Sequence, residues 1–377
     1  MAIERLFQLM KEKKASDLFL SPGAPVHVKI NGQVLPVNQQ KLDDVTVRAL
    51  LGEVVPLDQM RQLDDDHELN LGIPVRDIGN FRLSAFRQRG SVSAVFRFIP
   101  MDIPALADLK LPPALADIVM EKRGLVLVTG ATGSGKSTTI ASMLDYRNSH
   151  KFGHILTLED PIEYLFQSRK SVVNQREVGT DAKSLSIALR NALRQAPDCI
   201  LIGEIRDTET MAEAIAYAQS GHLVLATLHA NNSYHALNRV ISFFPLETRQ
   251  LMLSDLAATL KAVLSQRLVR SVDGGRRAAV EVLLNTSHIA ELIEEGEFSK
   301  IKEAMEKSIS PGSQTFEQSL MQLISEGAVS VDEALANADS ATNLYWLLNN
   351  QTAAKQEAEP EPPKDDGPTF TEFTLNI

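Results

Sequence analysis

The chain has 377 residues, of which 44% are hydrophobic and 23% are charged, an ordinary balance for a globular protein. Its formal net charge of −10 argues against a broad nucleic-acid-binding surface, because such a surface needs a basic face. The single cysteine, Cys199, excludes a disulfide framework or a multi-cysteine zinc module within the chain, and its apolar neighbours predict a small core residue.

No apolar run reaches the ~18 residues expected of a membrane-spanning helix. The N-terminal residues are too polar for a secretory signal, so we expect a cytoplasmic protein.

Residues 1–100 predict an α+β domain. An amphipathic helix is expected over 2–14, with Ile3, Phe7 and Met10 among its apolar positions. Asn31-Gly32 is a hairpin turn signal. Strand patterns cover 17–21, 26–30, 81–86 and 91–99, and helical patterns cover 43–53 and 56–63. Three prolines in a stretch of little periodicity mark 101–115 as a linker.

Residues 116–285 change to alternating strands and helices, a pattern typical of a mainly parallel sheet covered on both faces. Strands are predicted at 125–129, 154–158, 171–174, 199–202 and 223–227, and helices at 136–147, 182–195 and 208–219.

Residues 286–350 are predicted to be mostly helical, with segments at 287–295, 297–307, 313–325, 330–337 and 340–349. The acidic remainder, 351–377, lacks apolar periodicity and is predicted to be a disordered tail. Phe370 and Phe373 leave a docking motif as the alternative.

Residues 130–137 read Gly-Ala-Thr-Gly-Ser-Gly-Lys-Ser and match the phosphate-loop pattern G-x-x-x-x-G-K-[ST] without a gap. Its glycines permit a tight turn that points backbone N–H groups at phosphate oxygens, Lys136 adds a cation for the β- and γ-phosphates, and the Ser137 hydroxyl suits Mg²⁺. An apolar run precedes this phosphate loop, and the helix that follows aims its positive end at the anion. We therefore predict a nucleotide-phosphate site formed by Gly130, Ala131, Thr132, Gly133, Ser134, Gly135, Lys136, Ser137 and Thr138.

Acidic residues follow two predicted strands at their carboxyl ends, where ligands bind in open α/β sheets. After the first strand comes Glu159-Asp-Pro-Ile-Glu163, and we predict that Glu163 orients the attacking water or reaches Mg²⁺ through a water. The alternative is that these acids only cap the next segment. Glu204 follows the strand at 199–202 in the manner of a Walker B acid, where it would hold the Mg²⁺ water shell or polarise the nucleophilic water.

Two histidines bracket the predicted strand at 223–227. His229, at its carboxyl end, is expected near the γ-phosphate, where it could donate a hydrogen bond, whereas His222 precedes the strand. A zinc pair is not expected because no third and fourth ligand is evident, and a lone histidine at a strand end is usually structural.

Arginines that reach the γ-phosphate would assist phosphoryl transfer. The N-terminal region offers Arg82, Arg87, Arg89 and Arg97 on or beside two predicted strands. The alternative is a solvated sheet face, which is the stronger interpretation for Arg87 and Arg89. Arg82 and Arg97 flank the hairpin more symmetrically, although spacing alone does not select them.

Several long motifs in order resemble the secretion-type AAA-like motor ATPases, and most closely the type IV pilus retraction motors of the PilT/PilU kind. The motifs are GATGSGKST (130–138), ILTLEDPIEY (155–164), VVNQREVG (172–179), ALRNALRQAPDCILIGEIRD (188–207) and GHLVLATLHA (221–230). The likeness covers roughly residues 1–345.

This resemblance implies a PAS-like N-terminal domain joined by the linker to a RecA-like P-loop ATPase domain, with ATP and Mg²⁺ as cofactors. It further implies a homo-hexameric ring that drives pilus disassembly and twitching motility, partnered by a PilT-type motor and an inner-membrane pilus platform protein. Arg82 and Arg97 are the implied arginines at the nucleotide. The implied catalytic motifs contain Lys136, Glu163, Glu204, His222 and His229.

Two departures resemble the PilU paralogue. The stretch 288–295 lacks both arginines of the helix that follows the ATPase core in PilT-kind motors, and the acidic tail is extra. Extension motors usually hold a four-cysteine zinc module, which one cysteine cannot build. Two alternatives stay open: a non-catalytic ring component that binds ATP only to stabilise the motor, and a RecA-like nucleic-acid translocase, which would need a basic lining interleaved with aromatic residues.

Overall fold

The structure, a computed structural model, describes residues 2–30, 33–99, 102–308 and 310–357. Its strands form two separate sheets, one of six strands within residues 17–99 and one of seven strands within residues 124–284. In the described part of the chain, no helix is both long and apolar enough to cross a membrane.

The first sheet is antiparallel throughout, in the order β3-β2-β1-β6-β5-β4. Its elements are α1 (Ala2–Lys13), β1 (Asp17–Leu20), β2 (Pro25–Ile30), β3 (Gln33–Lys41), α2 (Asp44–Gly52), α3 (Leu57–Asp66), β4 (Glu68–Val75), β5 (Gly79–Gln88) and β6 (Ser91–Ile99). Helix α1 buries Ile3, Phe7 and Met10, and the Phe7 ring stacks on Phe81 with centroids 3.9 Å apart. Burial of such side chains supplies ~1.5–3 kcal/mol each and fixes the helix on the sheet.

The second sheet has the order β13-β12-β7-β11-β10-β8-β9, and all its neighbours are parallel except β12 and β13. Its elements are α4 (Ala114–Met120), β7 (Gly124–Thr129), α5 (Lys136–His150), β8 (Gly153–Glu159), β9 (Ser171–Glu177), α6 (Leu185–Ala192), β10 (Cys199–Ile202), α7 (Thr208–Gln219), β11 (Leu223–Leu228), α8 (Ser233–Ser242), α9 (Leu246–Thr259), β12 (Leu260–Arg270) and β13 (Arg276–Leu284). The mainly parallel sheet predicted from the alternating pattern is confirmed. Cys199 is fully buried in it, as predicted for a core residue.

The C-terminal region is helical, as predicted. Its helices are α10 (Ser287–Glu294), α11 (Ile301–Glu306), α12 (Phe316–Ser325), α13 (Val331–Asn337) and α14 (Ala341–Glu357). Phe316, Leu320 and Leu344 pack with Val269 of β12 and Ala279 of β13, so α12 and α14 pack on these two strands of the second sheet. Helix α14 continues past 351, where the sequence predicts a disordered tail, and residues 358–377, with Phe370 and Phe373, lie outside the described residues.

Some elements differ from the predictions. The sequence pattern predicts neither β3 nor β4, which are the two edges of the first sheet, and predicts nothing between 230 and 285, where α8, α9, β12 and β13 lie. Helix α6 begins at Leu185 rather than 182, because the Ser184 side chain accepts a hydrogen bond from the Ile187 N–H and caps it there.

Candidate nucleotide site

The carboxyl ends of four parallel strands, β7, β8, β10 and β11, lie together at one end of the second sheet. Ile202 of β10 lies level with Leu158 of β8 and Ala226 of β11, and Leu228 of β11 lies level with Thr129 of β7. The segments that follow these residues therefore leave the sheet together. They line a cavity of about 400 Å³ that includes Lys136, Ser137, Glu159, Glu163, Glu204, Arg206 and His229.

The phosphate loop connects β7 directly to α5. Gly133 and Gly135 have φ angles of 80° and 89°, in the left-handed region that favours glycine. A Cβ atom on Gly130 would lie 2.5 Å from the Gln266 carbonyl oxygen, so the backbone needs glycine there as well. This turn places the loop amides and the amino terminus of α5 at the cavity, as phosphate binding requires.

Lys136, the first residue of α5, folds its ammonium group back over the loop. Its Nζ donates to the carbonyl oxygens of Gly130 at 2.8 Å and Ala131 at 3.0 Å. Burial lowers the pKa of Lys136, while the charges of Glu204 and Glu163 oppose that shift. A half-buried cation whose carboxylate neighbours only partly compensate it is a ready partner for a phosphate group.

Gln266 of β12 holds the loop from behind, and sequence reasoning missed it. Its Nε2 donates to the Ser134 carbonyl at 2.8 Å, and its Oε1 accepts from the Thr139 hydroxyl at 2.7 Å. The side chain is buried, so both of its polar ends depend on these bonds. The detectable signal was a polar pair, Ser265-Gln266, directly after the apolar run Ala262-Val-Leu264.

Glu204 lies between two cationic or protonatable groups. Arg206 Nη2 donates to one carboxylate oxygen at 2.7 Å, and His229 Nε2 lies 3.2 Å from the other. The hydrogen bond from Arg206 is the main cause of a lowered pKa for Glu204, with the charges of Arg206, His229 and Lys136 adding to it. Glu204 is therefore a carboxylate at neutral pH and can hold or orient a water molecule. Arg206 was not among the predicted site residues.

Glu159 and Glu163 both line the cavity in different environments. Glu163 is exposed, whereas Glu159 accepts hydrogen bonds from Thr157 at 2.6 Å and Gln175 at 3.3 Å. Burial raises the pKa of Glu159, and those two bonds oppose the rise. Glu159 is thus fixed by its own neighbours, while Glu163 is the freer carboxylate at the cavity.

His222 lies apart from the cavity. It precedes β11 at its amino end, a distance of roughly 20 Å along the strand from the edge where His229 emerges. Its Nδ1 lies 3.1 Å from the Tyr217 carbonyl oxygen and 3.0 Å from the Ser220 hydroxyl. His222 does not line the cavity of its own chain, and its catalytic role stays a prediction.

Arg82 and Arg97 are cross-strand partners on β5 and β6, side by side on one face of the first sheet. Arg97 Nε also pairs with the buried carboxylate of Asp17 at 2.9 Å. Neither arginine lines the cavity of its own chain. The first sheet does approach the end of β9, because a Cβ on Gly72, the β4 partner of Arg82, would lie 3.3 Å from the Glu177 carboxylate.

The residues present fit Mg²⁺. In residues 2–30, 33–99, 102–308 and 310–357, no group of three or more His, Cys, Asp or Glu side chains is placed to hold a metal ion. Mg²⁺ instead prefers a few oxygen ligands, several waters and substrate phosphates. The Ser137 hydroxyl and the Glu204 carboxylate supply two such oxygens in one cavity.

Comparison with known proteins identifies relatives of this arrangement. A model of the family described as type II/IV secretion system protein matches residues 1–274. The type IV pilus ATPase PilU of Pseudomonas aeruginosa is 49% identical over 349 residues, which cover 92% of this chain and 91% of that protein. The type IV pilus retraction ATPase PilT of the same bacterium is 39% identical over 344 residues, 91% of this chain and 100% of that protein.

A solved structure also matches. The crystal structure of the pilus retraction motor PilT with bound ADP has a TM-score of 0.84 and 39% identity, over 90% of this chain and 99% of that chain. The likeness predicted from the motifs is confirmed, and of these two Pseudomonas relatives PilU has the higher identity, as the departures predict.

Proposed function

The chain belongs to the type II/IV secretion system protein family and is an ATPase of the pilus retraction group, and we propose that it works as a homo-hexameric ring that assists a PilT-type motor. The missing arginines in 288–295 and the higher identity to PilU support an assisting role. The ring would act at the pilus base, on the cytoplasmic side, through contact with an inner-membrane platform protein.

One observation carries the ATPase proposal: the Lys136 ammonium and the Glu204 carboxylate line the same cavity at the strand-end edge. ATP phosphates would replace the loop carbonyls as partners of Lys136 and accept hydrogen bonds from the loop amides. Glu204 and Glu163 would orient the attacking water, and His229 would donate to the γ-phosphate. Bound Mg²⁺ would neutralise charge on the phosphate oxygens, with Ser137 as a direct ligand and Glu204 acting through water.

A ring would complete this site. Arg82 and Arg97 stand outside the cavity of their own chain, and so does His222. We assign the two arginines to the nucleotide of a neighbouring subunit, where their charge would stabilise the transferring phosphoryl group. Loss of the γ-phosphate would then release contacts made by two subunits at once and couple hydrolysis to movement of the first sheet.

The experiment that tests the proposal replaces Glu204 by Gln. Turnover of Mg-ATP by the purified chain should fall by about 10²-fold or more, because a neutral amide no longer orients the water, while nucleotide affinity stays within about threefold. Glu209→Gln is the matched control, since Glu209 pairs with Arg190 on the surface and lies outside the cavity.

Unchanged turnover in Glu204→Gln would refute the catalytic assignment. A wild-type ring that binds Mg-ATP and never releases phosphate would instead favour the non-catalytic alternative. Salt-dependent binding of single-stranded DNA would favour the translocase.

A further inference from the structure

Three consecutive residues of β12 contact three different parts of the molecule. Ser265 accepts from the Thr129 hydroxyl at 3.1 Å and donates to the buried Glu281 carboxylate at 3.1 Å. Gln266 holds the phosphate loop. Arg267, the next residue, contacts Asn337 and Phe316 of the C-terminal helices, so this strand joins the nucleotide site to that region.

The Arg267 guanidinium is held on every side. Nη1 donates to the Asn337 carbonyl at 2.6 Å, Nη2 donates to the Asn231 carbonyl at 3.0 Å, and the group forms an ion pair with Asp339. It also stacks over the Phe316 ring, 4.0 Å from the ring centroid. The two charged side chains are only 23% and 18% exposed, so the pair is shielded far more than a surface ion pair.

Asp339 reaches the same segment from the other direction. Its second oxygen accepts from Asn232 Nδ2 at 2.8 Å, and Asn232 caps helix α8 by accepting from the His235 N–H. The next residue, Ser340, donates its N–H to the buried Glu317 carboxylate at 2.8 Å. The connection between α13 and α14 is therefore fixed in the C-terminal region and bonded to the residues that follow β11.

Those residues directly follow His229, whose Nε2 lies 3.2 Å from Glu204. Asn231 and Asn232, the two residues bonded to Arg267 and Asp339, are two and three positions further along the chain. A second cavity, of about 340 Å³, lies where the phosphate loop, Asn231, Arg267 and Asn337 meet. The phosphate loop and Asn231 therefore line one cavity, and Arg267 of the ion pair lines it as well.

We propose that the C-terminal helices position residues 229–234, the His229 segment, for hydrolysis through the Arg267–Asp339 ion pair. It rests on the proposed ATPase function and deepens it. The hydrogen bonds of the pair go to Asn231, Asn232 and Asn337 and not to the phosphate loop, so we expect a larger effect on turnover than on nucleotide binding. Movement of α13 and α14 would be transmitted to His229 through Asn231 and Asn232.

The test is a double-mutant cycle of Arg267→Ala and Asp339→Ala in the full-length chain. Each single variant should lower kcat about 10- to 100-fold, because displacement of a catalytic group by about 1 Å costs that much, with the Kd for Mg-ATP changed less than about threefold. The kcat of the double variant should lie within about twofold of that of the slower single variant, since both single variants already remove the shared ion pair. Lys307→Ala, which breaks an exposed pair with Glu303 on α11, is the matched control and should match wild type.

A second readout does not depend on activity. Hydrogen exchange of the amides at 229–234 should accelerate in Asp339→Ala, and Asp339→Asn, which keeps an acceptor for Asn232, should restore slow exchange in part. If the alanine variants do not fold, Asp339→Asn tests the proposal by itself. Its turnover should then be slower, and its exchange at 229–234 faster, than in the wild type.

Equal losses of kcat and nucleotide affinity, additive effects in the cycle, or unchanged exchange at 229–234 would overturn the proposal. If the wild-type chain itself does not hydrolyse ATP, the ATPase proposal fails. The exchange experiment still reports whether the ion pair holds the His229 segment.

Discussion

At the scale of single residues, the local environment shifts the pKa values of three carboxylates in different directions, which the sequence alone does not predict. Glu204 has a lowered pKa because Arg206 donates to it, whereas burial raises the pKa of Glu159 and Glu281. Groups whose environments push their pKa values apart take different roles. Glu204 stays charged for the reaction, while Glu281 accepts from the Ser233 N–H and the Ser265 hydroxyl behind the phosphate loop and has a structural role.

The buried Glu281 makes stability depend on pH. Its folded-state pKa lies above the ordinary value of 4.5, so the folded chain binds this proton more tightly than the unfolded chain does. Its contribution to stability is therefore complete below that ordinary value and is lost as the pH rises through the raised folded pKa. Glu281→Gln removes the titration and keeps an acceptor oxygen, so the Tm of the variant minus that of wild type should increase over this pH range.

Glu159 is present in both the wild type and Glu281→Gln, so the effect of its raised pKa on Tm is the same in both and drops out of the difference. Thermal unfolding measured at several pH values between 4 and 8 checks the difference. A Tm difference that does not change with pH would show that Glu281 titrates as it does in water.

At the scale of elements, the sequence predicted the strands of the second sheet that are buried on both faces. Strands β7, β10 and β11 are continuous apolar runs because helices cover the sheet, and the glycine pattern and strand-end acids located the cavity. Edge strands have no such requirement: β3 is exposed along most of its length and contains a proline. Strand β12 was not predicted because it buries two polar residues, Ser265 and Gln266. The contact by which Gln266 supports the phosphate loop was therefore not predicted either.

The hairpin of β5 and β6 contains the arginines that we expect to complete the nucleotide site of a neighbouring subunit. Arg82→Ala with Arg97→Ala should lower turnover while nucleotide affinity is kept, because the arginines act on the transition state. Mixed with Lys136→Ala subunits, this double variant should recover turnover above the sum of the two preparations, since an intact phosphate loop then meets intact arginines.

Arg89→Ala, in the turn of the same hairpin, is the control and should resemble wild type. Absence of any recovery on mixing, while mixed rings form, would mean that the arginines act within their own chain.

At the scale of the whole molecule, two sheets of different design share one chain. The first is an antiparallel sheet with arginines on its face, and the second is a mainly parallel sheet with the phosphate loop at its edge. The stretch between them packs on α5, where the Ser142 hydroxyl donates to the Pro104 carbonyl at 2.7 Å. Gly72 lies close to Glu177, and the next residue, Val178, lines the cavity, so we expect a change at the cavity to reach the first sheet.

Equilibrium binding of Mg-ATP to the purified chain and to its Lys136→Ala variant tests the central claim most directly. The wild type should bind, and the variant should bind at least about tenfold more weakly, because a charged partner of the phosphates is gone. No binding by the wild type, or equal binding by both proteins, would contradict a nucleotide site at this loop.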